Sequence, residues 1–230
     1  MSFLKSILSI LFYSIFLTII IDMVMRIYIL TEMNNIPETY FEKIKFKTGD
    51  VICFRWFYVD NDFRLFSKFS HVGIVIVPKS NIPLILEIHP NEEDSDGKVV
   101  RNHGVHIYKL KNRLKMYYGS YYHASLKTKF YNNNLTKKVL KNLKKYSKII
   151  FDSNFRIEFV KNYIMNLLEI PLTPNNWHLF CSQFVGYIQK DIGISKDVDV
   201  SHILMNPEAP SIIKNKNEEM IYKDLVRIIF

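Results

Sequence analysis

Along this chain the spacing of apolar residues changes twice, and each change marks a different kind of element. The first thirty positions are apolar almost throughout: an uncharged run extends from Ser6 to Ile21, and apolar character resumes beyond Asp22 up to Leu30. The run alone is a little short of the roughly 20 residues that span a bilayer, but its extension through Leu30 has ample length. Asp22 and Arg26 then stand i, i+4 on one helix face, where they can pair near an interface. No small-residue cleavage site follows, so the expectation is one uncleaved N-terminal transmembrane helix, residues 1–30, rather than a signal peptide.

Residues 31–47 read as a polar, partly charged connector. Beyond it the apolar runs become short and β-branched, which predicts strands at Val51 to Tyr58, His71 to Val77, Leu84 to His89 and Gly104 to Leu110, with an acidic loop at 91–97 before the last. The turn Pro78-Lys79-Ser80-Asn81 should pair the second and third of these antiparallel. In the third, period-two alternation sets Ile85, Glu87 and His89 on one face and Leu84, Leu86 and Ile88 on the other. From residue 135 the spacing turns helical. Helices are expected at Leu135 to Tyr146, Phe155 to Leu168 and Phe180 to Asp191, with Gly193 as the stop of the third. Strands first and helices after predict an α+β domain over 48–200, an antiparallel sheet packed on helices, followed by a C-terminal tail, 201–230, whose end is apolar enough to dock.

Composition adds little about the fold and more about surroundings. The 230 residues, less an anchor, leave enough chain for one domain with a proper core, and 48% hydrophobic content suffices to fill it. Richness in Asn, Lys, Ile and Tyr looks like the product of an AT-rich genome. The net charge of +9 is concentrated on one side of the expected helix 135–146, at Lys137, Lys138, Lys141, Lys144 and Lys145. That pattern is a solvated face, or a contact for anionic lipid headgroups if an anchor holds the domain at a bilayer. Nucleic-acid recognition is disfavoured, because no zinc-finger or RNP-type motif accompanies the charge. Lys5 before the anchor and Arg26, Lys43, Lys45 and Lys47 after it leave the membrane orientation open. Two cysteines without a disulfide framework favour a reducing, cytosolic side.

One cysteine stands where chemistry is expected. Cys181 falls at the first turn of a helix, after the breaker-rich stretch Pro171 to Asn176, where the helix dipole and unpaired N–H groups favour a thiolate. A lone cysteine on an apolar helix face is more often core than catalyst, so the weight rests on its partners. His71 heads an apolar strand, and Glu87 lies mid-strand among apolar residues, where a carboxylate is costly without a cation beside it. Cys181, His71 and Glu87 thus read as nucleophile, base and orienter, with His89 two residues on as the rival for the third role. Cys53 sits inside a strand and reads as core. His103, His106, His123, His178 and His202 lack metal-ligand spacing, so no metal and no cofactor is expected.

The order Gly49-Asp50-Val51-Ile52, Ser70-His71-Val72-Gly73-Ile74, a strand carrying Glu87, and Phe180-Cys181-Ser182-Gln183-Phe184-Val185 resembles the circularly permuted branch of the NlpC-type, papain-like superfamily, roughly over residues 48 to 190. That branch includes bacterial hydrolases, lecithin:retinol acyltransferase relatives and proteins of large DNA viruses. The resemblance implies a membrane-anchored thiol hydrolase that cleaves an amide or peptide bond through Cys181, His71 and Glu87. A lipid acyltransferase or phospholipase of the same fold, or an inactive tethered interaction module, is the alternative. The expected partners are the bilayer through the N-terminal helix, anionic lipid at the basic helix, and a peptide or lipid substrate.

Overall fold

The computed structural model describes residues 2–56, 69–89, 92–93, 99–101, 104–151, 178–179, 181–194 and 220–230. The chain opens with α1 (Ser2–Asn34) and β1 (Glu38–Tyr40), continues through β2 (Val51–Trp56), β3 (His71–Ile76), β4 (Leu84–His89), β5 (Glu92–Glu93), β6 (Val99–Arg101) and β7 (Gly104–Lys109), and reaches α2 (Leu110–Met116) and β8 (Gly119–Ala124). Then follow α3 (Leu135–Tyr146), β9 (Ile150–Phe151), β10 (His178–Leu179), α4 (Cys181–Ile192) and β11 (Val226–Ile229). The expected helix 155–168, the end of the first expected strand at 57–58, His103, His202 and most of the acidic loop lie outside the described residues, as do the side chains of Asp22 and Arg26.

Among the described residues, seven strands form one mixed sheet in the order β1-β11-β8-β2-β3-β4-β7, antiparallel except where β1 meets β11. β2 and β3 are central and apolar on both sides, which fixes them between two layers. On one face Val51, Cys53, Val72, Ile74, Ile76, Leu86 and Ile88 pack with Leu135 and Val139 of α3 and with Phe184, Val185 and Ile188 of α4. On the opposite face Ile52, Phe54, Val75 and Ile85 pack with Leu110 and Leu114 of α2 and Ile228 of β11. Each such side chain, fully buried, contributes about 1.5–3 kcal/mol. β1 lies in the segment expected as a connector and β11 in the segment expected as a tail, and their pairing closes one edge of the sheet.

Two polar pins hold these layers. The buried Asp50 carboxylate accepts hydrogen bonds from Lys47 N (2.9 Å), Leu126 N (2.8 Å) and His123 Nε2 (2.8 Å), tying the start of β2 to the end of β8. Tyr222 OH donates to the Gly49 carbonyl at 2.8 Å and accepts from Gln189 Nε2 at 2.6 Å, which seats the C-terminal segment on α4. Gly49 is required there: its φ is +99°, and an added Cβ would lie 2.7 Å from Ile194 Cδ1.

The expected transmembrane anchor is overturned. α1 is a helix of 33 residues, but among the described residues no helix is long and apolar enough to cross a membrane. Its uncharged run from Ser6 to Ile21 falls short of about 20 residues, and extending it brings Asp22 and Arg26 into the hydrocarbon. The single-pass location and the bilayer as a partner fall with it. The lipid contact expected of the basic helix loses its ground as well, and part of that charge is engaged internally: Lys138 Nζ donates to the Ile192 carbonyl at 2.9 Å, and Lys145 Nζ pairs with Asp191 at 2.8 Å. Lysines that complement the C-terminal end of a neighbouring helix stabilise it through its orphan carbonyls and dipole.

Candidate functional site

Glu87 is the centre of the site. Its strand alternates as the sequence predicts, with Ile85 on the α2 face and Leu84, Leu86 and Ile88 on the other. Ile74 pairs with Leu86 and Val75 with Ile85, and continuing that register sets Gly73 opposite Glu87 and His71 opposite His89. Gly73 makes room for the carboxylate: a Cβ there would lie 2.7 Å from Ile85 Cδ1 and 3.0 Å from Glu87 Cγ. The His71 and His89 rings stack with centroids 4.6 Å apart, and Phe54 lies beside His71 at 5.4 Å.

The carboxylate is fully buried and held from three sides. His71 Nε2 is 2.7 Å from Oε2 and donates to it. Arg113 Nε donates to Oε1 at 2.8 Å, and its Nη2 lies 3.3 Å from Oε2. His89 Nε2 is 3.0 Å from Oε2, an ion-pair contact without the alignment of a hydrogen bond, and among the described residues it has no other hydrogen-bond partner. Burial pushes the Glu87 carboxyl up, yet the two imidazoles and the Arg113 guanidinium outweigh it and hold the group well below the usual carboxylate range. Burial, reinforced by His71 and Arg113, lowers His89 against the pull of Glu87.

Arg113 is the member that sequence reasoning missed. It comes from α2, where Leu110, Arg113 and Leu114 form the buried stripe, and its guanidinium lies over the rings of Phe54 (5.2 Å), Tyr117 (5.5 Å) and Tyr108 (5.8 Å). The signal was present in two halves. A mid-strand carboxylate demanded a cation, and an arginine stood at helical spacing between two leucines. His106 also reaches the cluster, with its ring 5.8 Å from that of His89.

Cys181 packs with the core layer that holds Val72, Ile74 and Ile76. The buried cluster of His71, Glu87 and His89 contains no cysteine. By the alternation within β3, α4 covers Val72, Ile74 and Ile76 and Cys181 packs with that layer, whereas His71 pairs with Phe54 and shares the α2 face with it. The expected Cys181-His71-Glu87 set therefore reduces to the His71–Glu87 pair, and the thiol-hydrolase reading that needed all three is corrected. Asp50 and His123 make a second buried acid–imidazole pair, but two backbone N–H groups complete the Asp50 carboxylate, so its role is structural. No family model and no curated protein matches the chain.

Proposed function

We propose that the protein is a hydrolase in which His71 acts as general base toward a water molecule, oriented by Glu87. The observation that carries this reading is the 2.7 Å contact between His71 Nε2 and a carboxylate that is itself fully buried. With the Nε2 proton held by Glu87, Nδ1 is the nitrogen that accepts a proton, and the buried anion stabilises the imidazolium that results. Arg113 keeps the carboxylate ionised and in place, while the His71 side chain retains 14% exposure, enough for water to reach it. The substrate class, a carboxylic ester or amide, is carried over from the resemblance to the permuted papain-like superfamily. Kinship with that superfamily is part of the proposal. It is supported by the antiparallel β2, β3 and β4 with the cysteine-bearing helix packed across them, and the departure from it is that water replaces the thiol as nucleophile.

The test is hydrolysis of a panel of nitrophenyl esters and acyl anilides by the full chain, with a chelator present throughout. His71→Ala and Glu87→Gln each lose about 10²–10⁴-fold in kcat, while Cys181→Ala keeps its rate. Turnover that survives His71→Ala overturns the assignment of the base. Turnover abolished by Cys181→Ala overturns water as the nucleophile.

A further inference from the structure

The same cluster carries a second capacity. We infer that His71, Glu87 and His89 form a site for one divalent transition-metal ion of the zinc type, bound through the two Nε2 atoms and Glu87 Oε2. Three observations converge on it. The three ligand atoms lie within 4.8 Å of one another. Both imidazole nitrogens face one carboxylate oxygen, at 2.7 and 3.0 Å. His89 is buried, and its Nε2, 3.0 Å from Oε2, has no aligned hydrogen-bond partner among the described residues, although an aligned donor or acceptor is the rule for such an atom.

Zinc bonds of about 2.0–2.2 Å in a tetrahedron set ligand atoms roughly 3.3–3.5 Å apart. From their 2.7 and 3.0 Å separations the His71 nitrogen has to move back from Oε2 by about 0.6–0.8 Å and the His89 nitrogen by about 0.3–0.5 Å, a rotamer-scale adjustment. Two imidazoles and one carboxylate suit a zinc-like ion better than calcium or magnesium, which take oxygen ligands. Three protein ligands leave a fourth position open. Arg113 donates to Oε1 through Nε at 2.8 Å and lies 3.3 Å from Oε2 through Nη2, outer contacts of the kind that orient a ligand.

The consequence for the proposed reaction rests on the reading of His71 as base: the ion regulates it. Once Nε2 of His71 is metallated, the ring's single proton moves to Nδ1, and the nitrogen that would accept a proton from water is no longer available. Bound ion and working base are alternative states of one ring, and the ion inhibits.

Titration of the metal-free full chain with Zn²⁺ by calorimetry, and with Co²⁺ by visible absorption, tests binding without any assay of activity. The expected result is one equivalent bound, with d–d bands of a nitrogen and oxygen site and no thiolate charge-transfer band. Loss of an outer partner already costs about 10–100-fold in affinity, so His71→Ala and His89→Ala weaken binding at least that much, and Cys181→Ser leaves it unchanged. A thiolate band in the unaltered protein, full affinity in folded His89→Ala, or no binding at all overturns the site. Hydrolysis that persists with Zn²⁺ bound overturns the regulation. Hydrolysis absent even in chelator refutes the base assignment and leaves the binding result standing.

Discussion

Arg113→Met is the sharpest perturbation of the site, because it strips a cation from a buried anion without touching the sheet. Glu87 is 0% and Arg113 6% exposed, and the guanidinium makes two contacts to the carboxylate. Removing one partner of a buried ion pair costs roughly 3–5 kcal/mol, most of it the penalty of the charge left behind. The His71 and His89 imidazoles already sit at Oε2 and offset part of that penalty, which places the expectation at the low end, about 3 kcal/mol. In a chain of this size each kcal/mol moves the midpoint by about 2–4 °C, so Tm should fall by roughly 6–12 °C. Urea and thermal unfolding at neutral pH measure it. The double variant Glu87→Met with Arg113→Met removes both charges and should recover more than half of the loss, since an apolar pair of similar volume often matches a buried ion pair. A loss below about 1 kcal/mol, or a double variant no more stable than the single one, refutes the picture of a buried, ionised Glu87 held by Arg113.

Three further outcomes follow from the same contacts. Gly73→Ala forces a methyl against Ile85 and Glu87; overpacking of this kind costs about 1–3 kcal/mol, and urea unfolding that shows no loss contradicts the close approach. Tyr222→Phe deprives the Gly49 carbonyl and Gln189 of their shared hydroxyl, with an expected cost of about 1–3 kcal/mol and faster hydrogen exchange in the C-terminal segment; unchanged exchange would count against that pin. Burial raises Asp191, but Lys145, Tyr146 and Asn142 outweigh it and hold the carboxyl below its ordinary 3.8. Its stabilisation is therefore present above 3.8 and lost as pH falls through the lower folded value, so the stability gap between the unaltered protein and Asp191→Asn narrows below that pH, and a gap that stays constant refutes it.

Periodicity made several elements legible. α3 spans Leu135–Tyr146, the range that apolar spacing predicts, and β3 and β4 lie where the β-branched runs place them. Less was legible where elements are short or find their reason in distant partners. α2 is seven residues long and rich in lysine, so only the leucines either side of Arg113 hint at a buried face. β8 alternates too weakly to announce a strand, yet it pairs along the whole of β2. β1 and β11 depend on each other across nearly the full length of the chain, and no local pattern reports a parallel pairing at that separation.

The missing thiol follows from the same limit of local pattern. In β3 both faces are free of charge apart from His71, with Val72, Ile74 and Ile76 on one side and Gly73 and Val75 on the other, so the strand alone does not tell which face a helix will cover. β4 breaks the symmetry. Glu87 needs a cation, and Arg113 on α2 brings one to that face; the uniformly apolar side of Leu84, Leu86 and Ile88 is then left for the apolar stripe of α4. The buried carboxylate and the arginine of α2 thus share one face of the sheet, while Cys181 packs with the layer on the other.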